Sequence, residues 1–210
     1  MHISFRIGLL AATSFFLVAG YVVGQTGLPA NATPSNRDSS SAAPVVVREA
    51  PLQLRASVSE RMLYVQKGDS ILKTFQVAVG TDRYPTPRGS FRIRKMIWNP
   101  SWRPPPDSDW ARGKKATGPG DPRNPMKVVK IFFKEPDYYI HGTDEVESLG
   151  SAASHGCIRM DPDEIAELAR FIMAHGGQPR EENWFLRLLH SRREEKPIYL
   201  DNPIAIAITE

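Results

Sequence analysis

The chain has 210 residues, 41% hydrophobic and 24% charged, with a single cysteine. That length supports one domain with appendages, and the near-average composition excludes a fully disordered chain and a multi-span membrane protein. A formal charge of +4 suits an anionic envelope but is too weak to argue for nucleic acid, and one Cys cannot form an internal disulfide.

Arg6 precedes an uncharged apolar stretch over residues 7–23. A positive flank followed by an apolar run is the pattern of an export signal. The stretch falls just short of an ordinary transmembrane length, so residues 1–24 read as a signal peptide or an N-terminal membrane anchor. No Cys follows the run, which excludes a lipoprotein anchor. Residues 25–50 are rich in Ser, Pro, Ala and Asn and read as a flexible linker with a reach of roughly 25–30 Å. The expected location is therefore exported, periplasmic or elsewhere in the envelope, with membrane contact only through the N-terminal segment.

The folded domain is expected over residues 51–210. Leu52, Leu54, Ala56 and Val58 alternate with polar residues, the two-residue period of a half-buried strand. Residues 62–66 and 71–79 predict two more strands, joined by a hairpin at Gly68. After the break Thr86-Pro87-Arg88-Gly89, residues 91–98 predict a strand with Phe91, Ile93 and Ile97 on one face. Residues 99–126 carry seven Pro and three Gly, a long irregular excursion of the kind that forms binding loops or lids. Its Trp102 and Trp110 either line a cleft or pin the loop. Strands follow over 127–133 and 138–140.

Asp161-Pro162-Asp163-Glu164 carries an N-cap, a proline at the first helical position and acidic residues at the positive dipole end. A helix is thus predicted from Asp161 to Gly176-Gly177, with Ile165, Leu168 and Ile172 on its apolar face. Residues 182–193 predict a second helix. Residues 198–200 and 204–208 read as a closing strand pair about Asp201-Asn202-Pro203. Strands predominate, with one or two helices near the C-terminus.

The chemistry converges on His141-Gly142-Thr143 and, after ten intervening residues, Ser154-His155-Gly156-Cys157-Ile158-Arg159-Met160. A buried Cys is often only a small hydrophobe. A lone thiol on a Gly-flanked loop near two His residues points instead to a nucleophile, activated by an imidazole and a nearby cation such as Arg159. If the loop is extended, His155, Cys157 and Arg159 share one side. Gly156 permits a tight turn that frees the residue-157 N–H as an oxyanion donor. Spacing leaves open which His is the base. A zinc site on His141, His155 and Cys157 lacks a recognisable ligand spacing, so no metal and no cofactor is expected.

The segment HGT…SHGCIRM resembles the active-site motif of the bacterial L,D-transpeptidases, the YkuD-type catalytic domain. The likeness extends upstream to MLYVQKGDSILKTFQVAVG and to TPRGSF, and covers roughly residues 52–175. It implies a mainly β fold with two packed sheets, acting on peptidoglycan stem peptides. It further implies Cys157 as nucleophile and His141 as general base, its ring oriented by the Gly142 carbonyl. Ser154 and His155 would shape the pocket, Gly156 and Cys157 N–H groups would form the oxyanion hole, and Arg159 would position the loop or a substrate carboxylate. The acceptor would be a second stem peptide, a wall-attached lipoprotein or, in a carboxypeptidase or hydrolase, water. An inactive wall-binding scaffold is the non-enzymatic alternative. The run Asp144, Glu145 and Glu147 between the two blocks reads as a solvated loop or as a partner for an acceptor amine.

Overall fold

The computed structural model describes residues 50–210. The export segment and nearly all of the linker lie outside the described residues. Among those described, no helix is long and apolar enough to cross a membrane.

Ten strands and two α-helices make up the domain. They are β1 (Leu52–Ser57), β2 (Met62–Lys67), β3 (Ser70–Gln76), β4 (Val79–Gly80), β5 (Gly89–Trp98), β6 (Lys127–Lys134) and β7 (Tyr138–Gly142). β8 (Ala152–Ser154), β9 (Ile158–Met160), α1 (Pro162–His175), α2 (Glu182–Ser191) and β10 (Lys196–Thr209) complete the chain. The fold is mainly β, in two sheets of unequal size. One has eight strands in the order β3-β2-β1-β10-β5-β6-β7-β9, and the other pairs only β4 with β8.

The alternation read along residues 52–58 buries Leu52, Leu54 and Ala56 in the core. Gly68-Asp69 turns β2 into β3. The predicted strand over 71–79 is broken in two. Its last residues leave β2 and pair with β8, and Ala78 bridges to Arg159. The predicted closing pair is also corrected. Residues 196–209 form one long strand along β5, with an irregularity between Tyr199 and Ile204 that absorbs Asp201-Asn202-Pro203. Ile97 does not share the buried face of Ile93. Met96 and Trp98 take it instead, because the face of β5 switches opposite that irregularity.

α1 begins where its cap predicts. Asp161 accepts from the backbone N–H groups of Asp163 (2.8 Å) and Glu164 (3.3 Å), a cap contributing about 1 kcal/mol. Its apolar face, Ile165, Leu168 and Ile172, is fully buried with Val129, Ile131, Ile140, Ile158 and Met160. α2 adds Phe185 and Leu188, and Trp98 packs between them and Met173. This packing fixes one face of β6, β7 and β9. The other face carries the chemistry.

Candidate active site

β7 and β9 run parallel, with Ile140 opposite Ile158 and His141 opposite Arg159. Side chains alternate along strands. Ile140, Ile158 and Met160 therefore enter the core, while Tyr139, His141 and Arg159 turn to the other side. With Cys157, just before β9, they line a cleft of about 1360 Å³. Residues His141 and Cys157, sixteen apart in sequence, thus meet on adjoining strands. Gly142 allows β7 to pack closely on β6 on its other side: a Cβ there would lie 2.5 Å from the Lys127 carbonyl oxygen.

His141 is buried at 4% exposure, and its Nδ1 donates to the Gly142 carbonyl at 2.8 Å. A carbonyl only accepts, so the proton sits on Nδ1 and Nε2 is left as the basic nitrogen. Burial pushes the imidazole pKa down to about 4, helped by Arg159 and Lys130, while the Gly142 and Pro125 carbonyls pull the other way. The unfolded value is 6.5, so between pH 6.5 and 4 the unfolded chain binds a proton that the folded chain refuses. Stability therefore falls as pH drops through that window. Chemical denaturation at pH 7 and pH 4.5 should show a loss at least roughly 2 kcal/mol larger for the wild type than for His141→Gln. Equal losses would contradict the buried neutral ring.

Cys157 is half-buried, and its Sγ lies 3.5 Å from the Asp137 carbonyl oxygen. Burial pushes the thiol up to about 11, against the lowering effects of Tyr139, Lys130 and Arg159. The sequence suggests that the neighbouring cation dominates; here desolvation outweighs it. No hydrogen bond joins Cys157 to His141 among the described residues, so the resting pair is a neutral thiol beside a neutral imidazole. Catalytic hydrogen bonds of this kind commonly tighten only when substrate binds.

The cysteine loop is held from within. Ser154, buried at 2% exposure, donates through Oγ to the Cys157 carbonyl at 2.5 Å and accepts from the Gly156 N–H at 3.1 Å. This alters the oxyanion expectation, because the Gly156 N–H is already engaged. Cys157 N–H makes no hydrogen bond found among the described residues and stays available for that role. Gly156 has φ +108°, and a Cβ there would lie 2.9 Å from the Tyr138 ring. The backbone is extended only over Ile158–Met160, so the stretch from His155 to Arg159 is not one continuous strand.

The remaining predicted residues surround the thiol. Arg159 pairs with Glu145 at 2.5 Å, and its backbone exchanges hydrogen bonds with Ala78. Lys127 pairs with Asp144 at 3.1 Å. Two of the three acidic residues thus have ion partners while remaining exposed to solvent. His155 stacks on Trp110, with centroids 4.1 Å apart and planes 17° from parallel, and its other neighbour is Tyr84 at 4.9 Å. Asp109 accepts from Tyr84 Oη at 2.5 Å and pairs with Arg83, so the excursion is docked beside the thiol. Trp102 is buried and bridges to Thr117. The two tryptophans therefore both pin the excursion and line the cleft.

Sequence reading misses Tyr139 and Lys130. Tyr139 stands one position before the Ile140–Ile158 pair, and its side chain and backbone both act on Cys157. Lys130 lies opposite His141 on β6. The signal for it was the polar residue among apolar ones in KVVKIFF, but only strand register gives it a direction.

The only thiol among the described residues and a buried, Nδ1-tethered imidazole thus line one cleft. The profile of the L,D-transpeptidase catalytic domain, YkuD, matches residues 52–182. The chain belongs to that family. YkuD of Bacillus licheniformis, named as an L,D-transpeptidase, is 30% identical over 122 residues, covering 58% of this chain and 61% of that protein. YqjB of Bacillus subtilis, also so named, is 37% identical over 103 residues, covering 47% and 53%. The match spans about three fifths or less of the length of these relatives. A solved L,D-transpeptidase from Mycobacterium smegmatis superposes with a TM-score of 0.48 at 17% identity, over 77% of this chain and 59% of that one.

Proposed function

We propose that this chain is an exported peptidoglycan L,D-transpeptidase that works through a Cys157 thioester. The observation that carries this reading is the placement of the sole cysteine in the cleft of His141, whose Nδ1 is fixed on Gly142 and whose Nε2 is left basic. The donor is a stem tetrapeptide. Sγ attacks the carbonyl before the terminal D-residue as His141 takes the thiol proton. The two pKa values lie far apart, so proton removal accompanies attack rather than preceding it. The S–C bond forms, the C–N bond breaks, and His141 returns the proton to the departing amine. An acceptor amine then attacks the thioester, gives its proton to His141, and the thiol is restored.

The Cys157 N–H supplies a donor near the developing oxyanion, while the Tyr139 backbone N–H faces the sulfur. Ser154 holds the loop, and Arg159 with Glu145 and His155 with Trp110 shape its two flanks. The acceptor is a second stem peptide or the terminal amine of a wall-attached lipoprotein, and residues 1–50 deliver the domain to the envelope. Incubation with purified tetrapeptide muropeptides tests this. Cross-linked dimers with released terminal D-residue are expected; tripeptide alone would mean water is the acceptor, and no product would sink the reading.

A further inference from the structure

Most cations near the cleft floor already have an anion. Arg159 is paired with Glu145, Lys127 with Asp144 and Arg123 with Asp121, all within 3.1 Å. Arg103, Lys114 and Lys115 sit exposed on the excursion, where water satisfies them. Lys130 differs from both groups. It projects from β6 on the side of His141 and lines the same cleft as Cys157. Its ammonium donates to the Ser101 carbonyl at 2.7 Å and lies 5.0 Å from the centre of the Tyr139 ring. Among the described residues no carboxylate stands within ion-pairing distance of it. The neighbouring acid, Glu195, is occupied by the N–H and hydroxyl of Ser101, both at 2.6 Å.

A half-buried ammonium with one carbonyl partner retains donors, and its charge is offset only from a distance by Glu195, with no carboxylate in ion-pair contact among the described residues. Such a charge is costly until an anion reaches it. Burial already pushes its pKa down, the expected mark of a desolvated cation. Its position specifies which anion. The Tyr139 ring lies beneath the ammonium and its side chain also acts on Cys157, so Lys130 and the reacting sulfur flank the same ring in one cleft and interact electrostatically. In a peptide cut before its last residue, the free carboxylate lies within one residue of the scissile carbonyl, consecutive Cα atoms being about 3.8 Å apart, and so enters the same part of the cleft.

We propose that Lys130 is a specificity-determining residue that binds the free carboxylate of the donor's terminal residue, beside the bond that Cys157 attacks. This rests on the transpeptidase reading. It restricts donors to peptides ending one residue beyond the scissile bond, and it disfavours amidated ends and internal bonds.

Alkylation of the sole thiol tests the site without any peptide. Iodoacetate carries a carboxylate next to the reacting carbon, and iodoacetamide is its neutral counterpart. Lowered thiolate population slows both equally, so their rate ratio isolates recognition of the charge. In the wild type, the iodoacetate-to-iodoacetamide ratio should exceed that of N-acetylcysteine about tenfold, the effect of one charge-assisted hydrogen bond. Lys130→Gln should bring it down to the N-acetylcysteine ratio, and Lys130→Arg should keep it high. A wild-type ratio equal to that of N-acetylcysteine, or a wild-type ratio retained by Lys130→Gln, overturns the assignment. Tetrapeptides ending in carboxylate or amide give the second readout, with wild type preferring the carboxylate and Lys130→Gln losing that preference. If the wild type turns over neither peptide, the transpeptidase reading fails while the alkylation ratio still decides Lys130.

Discussion

Cys157→Ala is expected to give a folded protein whose transfer activity is lower by about 10³-fold or more, the scale seen when a covalent nucleophile is removed. The fold should survive because the thiol is a half-buried lining group whose partners, the Asp137 carbonyl at 3.5 Å and Tyr139, are held in place by other bonds. The loop itself is held by Ser154, through the Cys157 carbonyl and the Gly156 N–H, and both bonds are independent of the side chain at 157. A stability change of about 1 kcal/mol is therefore the expected ceiling. The same substitution removes the only thiol in the chain. A β-lactam acylating agent should add its mass to the wild type and leave the variant unchanged. Transfer that persists in Cys157→Ala, with an intact thermal transition, would remove the thioester from the mechanism.

Features set by a few neighbouring residues were legible in the sequence. Asp161-Pro162 starts α1 and Gly176 accompanies its end, because caps act within one turn. Gly68 marks the hairpin for the same reason. His141 and Cys157 were legible as residues, since nothing else in the chain combines a lone thiol with two His-Gly pairs. Features that depend on distant partners were not. The sequence around Asp201-Asn202-Pro203 is turn chemistry, but β5 pairs on both sides of it and carries the strand through. β8 and β9 are three residues each and exist only because β4 and β7 lie beside them. The engagement of the Gly156 N–H needs the Ser154 hydroxyl folded back onto it. Electrostatics had the same limit. Arg159 beside Cys157 suggested an acidified thiol, and only burial, a property of the assembled cleft, reverses the sign.

His141→Gln should lower kcat/KM by about 10²–10⁴-fold, the usual contribution of general acid–base catalysis. Gln retains an amide N–H that can reach the Gly142 carbonyl, so the strand seam keeps its hydrogen bond while the proton acceptor is lost. A structural role alone predicts a rate recovered at any pH where the protein is folded; the catalytic role predicts a change in the pH profile. On the proposed mechanism, the reactive state of the wild type is neutral His141 beside neutral Cys157. Its population falls below pH about 4 as the ring charges, and above pH about 11 as the thiol ionises and no proton remains for the leaving amine. The expected profile of kcat/KM is a broad plateau between those limits. In the variant the acid limb should vanish, leaving a rate that rises with pH as hydroxide does the work of the base. Retention of a limb near pH 4 in His141→Gln would assign it to another group. Near-wild-type activity in that variant would remove His141 from the proton path, leaving its bond to Gly142 as a purely structural clamp on β7.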